Sequence, residues 1–267
     1  MDFNDVTNIF KEDLLRLERS IQENYQSDVP LIPGIGDYLL KNGGKRIRPL
    51  LLMVGTKLCG RDLDERVIRH GCVIEYIHSA TLLHDDVVDH TTIRRGRETV
   101  SAKWGSDASI LVGDFLISRS ILMLAADCDS RIINSVSEAT KHLVEGGIME
   151  YSQARKLSVT ESHCLDVILR KTASMISLSC ELAALLSEAN PEQEKGHVWA
   201  TADLEASASE AQTGSGPAHS SETARQAGTG RAHSSKSAAE ATSRVVRVSG
   251  LALGLSKFQV SRLQEST

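Results

Sequence analysis

The chain is predicted to be all-α. Apolar residues recur at helical spacing from the N-terminus to about Lys195, and no stretch alternates with the period of a strand. Aromatic residues make up only 4%, and blocks such as "ASILVGDFLISRSILMLAA" are apolar over much of a helical surface, which predicts large helices packed around a central one. Hydrophobic residues are 41% of 267, enough for a substantial core.

The elements follow in order. Ile9, Leu14, Leu17 and Ile21 mark a first amphipathic helix, "NGGK" a turn, and Leu50 to Leu58 a second apolar helix. After "GRDLDE" the block from Val67 to Val88 predicts a long helix reaching about residue 90. "RRGR" punctuates again, and further periodic blocks cover 107–126, 131–154 and 162–188, with "ANPEQ" closing the last. Beyond Lys195 the text turns to Ala, Ser, Thr and Gly with few large apolar residues. A helical domain over 1–195 and a low-complexity tail over 196–267 are therefore expected, the tail disordered or weakly helical over 196–243. Its last patch, "VVRVSGLALGLSKFQV", is short and carries no chemistry of its own.

A net charge of −5 and a pI near 6.0 exclude a global pull toward nucleic acid, so anion binding has to come from local basic clusters. The five cysteines are odd in number and lack CxxC spacing, which predicts buried thiols in a reducing, cytoplasmic setting. The N-terminus is acidic and amphipathic, and no run approaches 18 apolar residues, so neither secretion nor a transmembrane segment is expected.

The densest chemistry lies in "LLHDDVVDHTTIRRG", residues 82–96. On one helix, Asp85 and Asp89 stand a turn apart on one face, and two carboxylates held that close repel unless a cation lies between them. Hard oxygens without Cys or a neighbouring His pair favour Mg²⁺, which usually takes one or two protein carboxylates and completes its shell with water and phosphate oxygens. Asp86 projects about 100° away and is the weaker ligand. The alternative is a solvated acidic helix end. His78 and Thr81 extend the polar stripe of Asp85 and Asp89 along an otherwise apolar helix, as a wet or ionic cavity would require; a surface face is the other reading.

Three basic clusters accompany it. Arg94 and Arg95 have the planar fork that suits phosphate oxygens, although such a stretch can equally be a solvated loop. "NGGKRIRPLL" sets a Gly-Gly turn, Lys45 and Arg48 at the mouth of an apolar helix, a second anion site or an ordinary helix start. "LRKTAS" places Lys171 and Thr172 in an apolar helix, where the cation either snorkels or meets an anion. Together they suggest two anionic phosphate groups, one bridged through Mg²⁺ and one gripped directly.

"GGKRIRPLL", "EYIHSATLLHDDVVDHTTIRRGRETV", "VGDFL" and "RKTAS", in this order over residues 10–195, resemble the trans-polyprenyl diphosphate synthases, most of all the long-chain, octaprenyl diphosphate synthase type. The resemblance implies an isoprenoid synthase-type helical bundle around a central cavity, usually dimeric, condensing isopentenyl diphosphate head-to-tail with an allylic diphosphate. It implies that Lys45, Arg48 and His78, helped by Arg95, bind isopentenyl diphosphate. Asp85 and Asp89 would hold Mg²⁺ on the allylic diphosphate, Arg94 would contact that diphosphate, and Lys171 with Thr172 would lie near the leaving group. In this family a large aromatic below the first aspartates stops the growing chain; here Ala80 and Thr81 are small, which implies a long-chain product. The family's second aspartate-rich motif should follow "PEQEK" by a couple of dozen residues. Asp203 is the only aspartate after Lys195, so that part of the fold is expected to be incomplete, as a shifted frame or truncation would leave it. The expected function is a long-chain prenyltransferase impaired in this chain; the alternative is a noncatalytic diphosphate-binding or partner subunit, in a homodimer or heterodimer.

Overall fold

A computed structural model describes residues 3–41, 44–153 and 160–188. The boundary near Lys195, the tail over 196–267 and "PEQEK" lie outside the described residues. Helices dominate: α1 (Phe3–Ile9), α2 (Lys11–Asn24), α3 (Leu31–Lys41), α4 (Ile47–Leu58), α5 (Glu65–Val88), α6 (Val100–Trp104), α7 (Ser106–Asp127), α8 (Ser130–Gln153), α9 (Glu161–Ile168) and α10 (Ser174–Leu186).

α5 is the central helix. It starts on an Asp64 cap, whose carboxylate accepts the Val67 N–H at 3.0 Å. α2, α4, α7 and α10 all pack against it. Its middle, Ile68, Cys72, Val73, Ile74, Tyr76 and Ile77, is buried on every side, which explains why it is apolar all round rather than striped. Tyr76 is anchored at both ends: its ring meets Tyr25 edge-on at 5.4 Å, and its hydroxyl donates to the Ile21 carbonyl at 2.7 Å.

α7 is long and apolar enough to cross a membrane by length and composition. It lies along α5 with Val112, Leu116 and Leu124 buried, and leaves other apolar side chains outward.

Several features depart from the expected pattern: α3 and α6 fall where no block was expected, and Ile9 lies exposed in α1, apart from the helix that carries Leu14, Leu17 and Ile21. "RRGR" is the turn of a small hairpin, β1 (Ile93–Arg94) against β2 (Arg97–Glu98), with Ile93 opposite Glu98 and Arg94 opposite Arg97. Arg95 and Gly96 both have positive φ, +51° and +76°, as a two-residue type I′ turn requires. The block over 162–188 is broken as well: α9 and α10 are joined by one wide π-helical turn, Leu169–Ala173. Gly146 of α8 sits against this turn, where a Cβ would fall 2.9 Å from the Lys171 backbone nitrogen.

A basic cleft beside an acidic helix end

The start of α4, the middle of α5 and the hairpin enclose a cleft of about 570 Å³. Lys45, Arg46 and Arg48 line one side, Glu75, His78 and Asp86 the floor, and Arg94 and Arg95 the other side. Most of the residues singled out in the sequence thus meet here, brought together from segments far apart in the chain.

Arg48 is the most telling. Its Nε is buried and has no hydrogen-bond partner among the described residues. Burial pulls its pKa below the ordinary guanidinium value, with Glu75 opposing that shift. A buried donor on a charged group is costly to leave unmade, and this one belongs to a residue that lines the cleft. His78 shares the cleft, and burial, reinforced by Arg48, Arg95, Arg46 and Arg94, pushes its pKa down to about 3. At neutral pH it is therefore an uncharged imidazole, able to donate one hydrogen bond and accept another. Lys45 is exposed at the rim, its ammonium 5.9 Å from the centre of the Phe3 ring.

The aspartates of the α5 end do not act alike. Asp86, the weaker candidate by rotation, is the buried one, and Arg94 grips its Oδ1 with Nε at 2.8 Å and Nη2 at 2.7 Å. The hairpin folds back to make this pair. Asp85 is half-buried and turned instead toward the wide turn, where Lys171 Nζ lies 3.0 Å from it and 2.7 Å from Glu150 of α8. Burial would lower the Lys171 pKa, but hydrogen bonds to Glu150 and Asp85 outweigh it and raise the value. The lysine expected either to snorkel or to meet an anion meets two. Asp89 caps the C-terminus of α5 and is exposed, as is Thr172. Thr81 donates its hydroxyl to the His78 carbonyl at 2.8 Å and does not reach the cleft.

No group of three or more His, Cys, Asp or Glu side chains is arranged to hold a metal among the described residues. What the end of α5 offers is an exposed carboxylate, Asp89, and a half-buried one, Asp85, with one oxygen on Lys171, hard donors of the kind that suit Mg²⁺ completed by water and phosphate oxygens. A larger hollow of about 850 Å³ lies between α8 and α10, lined by Glu138, Arg170 and Glu181 among others, and contains none of the candidate residues.

Asp86 was expected only as the weaker ligand, and Arg46, Glu75 and Glu150 were not among the candidates. Only Asp86 had a sequence signal, its place inside DDxxD; the others are recognisable only once the helices are packed. Asp86→Asn is expected to destabilise the fold by about 1–2 kcal/mol, read by urea unfolding, because Arg94 loses its charged partner but, being 39% exposed, regains water. An unchanged midpoint would show that the pair contributes nothing.

Comparisons with known proteins agree on the family. The model of the polyprenyl synthetase family matches residues 29–202. Octaprenyl diphosphate synthase of Escherichia coli (strain K12) is 34% identical over 196 residues, 73% of this chain and 60% of that protein. The crystal structure of a decaprenyl diphosphate synthase from Rhodobacter capsulatus is similar with a TM-score of 0.70 at 32% identity, over 74% of this chain and 61% of that one. That of a polyprenyl synthase from Caulobacter crescentus CB15 complexed with calcium and isoprenyl diphosphate reaches a TM-score of 0.75 at 21% identity, over 100% and 98% of the chains, a likeness of fold. The chain spans about 60% of the length of the Escherichia coli relative. With an all-α bundle, an aspartate pair ending its central helix and a family model matched over most of its length, this chain belongs to the polyprenyl synthetase family.

Proposed function

We propose that the chain binds isopentenyl diphosphate in the basic cleft and an allylic diphosphate, through Mg²⁺, at the end of α5, and that its reaction class is head-to-tail prenyl transfer to a long-chain polyprenyl diphosphate. The observation that carries this reading is the buried, unpartnered Nε of Arg48 beside a neutral His78, a hydrogen-bonding anion site a short distance along α5 from an aspartate pair. The octaprenyl and decaprenyl synthases among its relatives support the substrate class.

Mg²⁺ on Asp85 and Asp89 would supply charge withdrawal from the departing diphosphate. The protein's own groups do the rest. Arg48, His78 and Lys45, with Arg95, hold the isopentenyl diphosphate so that its double bond faces the allylic carbon. Lys171, already between Asp85 and Glu150, brings positive charge to the side on which the leaving group departs, with Thr172 beside it. As the allylic C–O bond breaks and its electron pair leaves with the diphosphate, the isopentenyl double bond attacks the cationic carbon, and the new cation gives up a proton to the departing diphosphate, the base that the reaction itself supplies. Ala80 is buried on α5 and Thr81 half-buried, both small, which supports a long product.

The sequence contains one aspartate-rich motif, so turnover by this chain is expected to be slow or absent. Incubation with labelled isopentenyl diphosphate, farnesyl diphosphate and Mg²⁺, followed by chromatography of the products, checks this. Ordinary turnover would overturn the impairment, and any product's mobility would report its length. The second reading, a noncatalytic partner subunit, rests on the same absence of a second motif.

We also propose self-association through α7 in a cytoplasmic setting. Leu111 is 66% exposed and Ile121 and Leu122 are each 59% exposed on its outward side, and no disulfide joins the five cysteines, of which Cys72 and Cys180 are buried and the others are not. Leu111→Glu with Leu122→Glu is expected to halve the mass measured by light scattering; an unchanged mass would sink this interface.

A further inference from the structure

Three cations crowd the mouth of α4 in "KRIR", yet they do different work. Arg46 faces two carboxylates from two helices. Its Nε and Nη2 reach the two oxygens of Glu18 on α2 at 2.6 and 3.2 Å, and its Nη1 reaches Glu75 on α5 at 2.8 Å. The guanidinium fork is committed on both sides. Its side chain is 14% exposed and that of Glu75 6%.

The backbone beneath it is left-handed, φ +47° and ψ +37°, and its carbonyl accepts the Leu50 N–H at 2.9 Å to open α4. A non-glycine residue in that region costs about 1–2 kcal/mol and persists only where the surroundings over-determine it. Here two carboxylates from separate helices do so. The turn they hold sets where Lys45 leaves the rim and where Arg48 enters the cleft. Glu75 also lies one turn before His78 and is the carboxylate that favours the charged form of Arg48 without hydrogen-bonding it. Arg48 thereby stays charged and keeps its Nε uncommitted.

We infer that Arg46, clamped by Glu18 and Glu75, is a positioning residue for the diphosphate site of the basic cleft: it does not touch the ligand, and it sets the direction from which Arg48 does. This rests on the cleft being the isopentenyl diphosphate site. The clamp governs that site and leaves the metal-dependent end of α5 alone.

The test is calorimetric and needs no turnover. The full chain is titrated with isopentenyl diphosphate without metal, and separately with an allylic thiodiphosphate, whose C–S bond resists ionisation, in the presence of Mg²⁺. Arg46→Lys keeps the charge but cannot fork between Glu18 and Glu75; it is expected to weaken isopentenyl diphosphate binding about tenfold or more while leaving the allylic analogue within about twofold. Should an unforked cation unfold the chain, Glu18→Gln removes the partly exposed jaw of the clamp, leaves Glu75 facing both arginines, and is expected to give the same split. Equal affinity for isopentenyl diphosphate in both variants, or parallel loss of both ligands, would overturn the inference. If the unaltered chain binds the allylic analogue but not isopentenyl diphosphate, the assignment of the cleft itself fails, and the clamp's role with it.

Discussion

Asp85→Ala is expected to abolish the Mg²⁺ dependence of allylic diphosphate binding, a loss of about a hundredfold, or ~2.7 kcal/mol, at saturating metal. Mg²⁺ holds most of its water and takes only one or two protein carboxylates when it bridges to phosphate, so removing one of the two proposed ligands leaves the exposed Asp89 as the single anchor and weakens retention sharply. Asp85 is also the carboxylate that Lys171 reaches at 3.0 Å. In the variant, Lys171 keeps Glu150, and its positive charge still favours an anion nearby. Residual, metal-independent binding should therefore survive. Titrating an allylic thiodiphosphate with and without chelator separates the two contributions: metal dependence equal to that of the unaltered chain would refute the assignment of Asp85.

Arg48→Met is expected to act oppositely on binding and on stability. Hydrogen bonds to charged groups contribute about 1.5–3 kcal/mol each, and a guanidinium fork makes two at once to a phosphate, so isopentenyl diphosphate affinity should fall about a hundredfold. The folded protein should meanwhile gain about 1 kcal/mol or more, because a buried cation with an unmet donor is replaced by an apolar side chain of similar length. Glu75 keeps its pairing with Arg46 at 2.8 Å and is not stranded by the change. Calorimetry and urea unfolding on one preparation give both signs. A loss of stability with unchanged affinity would make Arg48 a structural residue.

Much of the fold was legible because long amphipathic or wholly apolar blocks announce helices. α4, α5, α7 and α8 begin and end within a few residues of the blocks from which they were expected. The hairpin was not, since Ile93–Arg94 and Arg97–Glu98 are too short to show any alternation; only the Arg-Gly pair at its tip carries the signal of an I′ turn. The wide turn after α9 escaped for a different reason, as Leu169–Ala173 has ordinary helix-forming composition and the bulge is a matter of register. At the site, the cations were legible as a set but their division of labour was not. Arg94 and Arg46 are committed to Asp86 and Glu75, carboxylates whose pairing depends on the packing of distant segments, while Arg48, of the same chemistry, is left with an unmet donor. Spacing identifies which residues can bind an anion; burial and partners decide which one is available.

The wide turn has a consequence for how insertions and deletions should be read in this part of the chain. A π-turn accommodates one residue more than an α-turn over the same length, so deleting a single residue within 169–173 would let α9 run straight into α10 with regular hydrogen bonds. Because the turn absorbs its extra residue, the flanking helices would keep their register, and the side chains within the turn itself would be re-aimed. Lys171 would leave the gap between Asp85 and Glu150, and the seat of Gly146 against the turn would be lost. Local regularity and the placement of that cation are therefore mutually exclusive here: an ideal helix through this segment would be the better helix and the worse site.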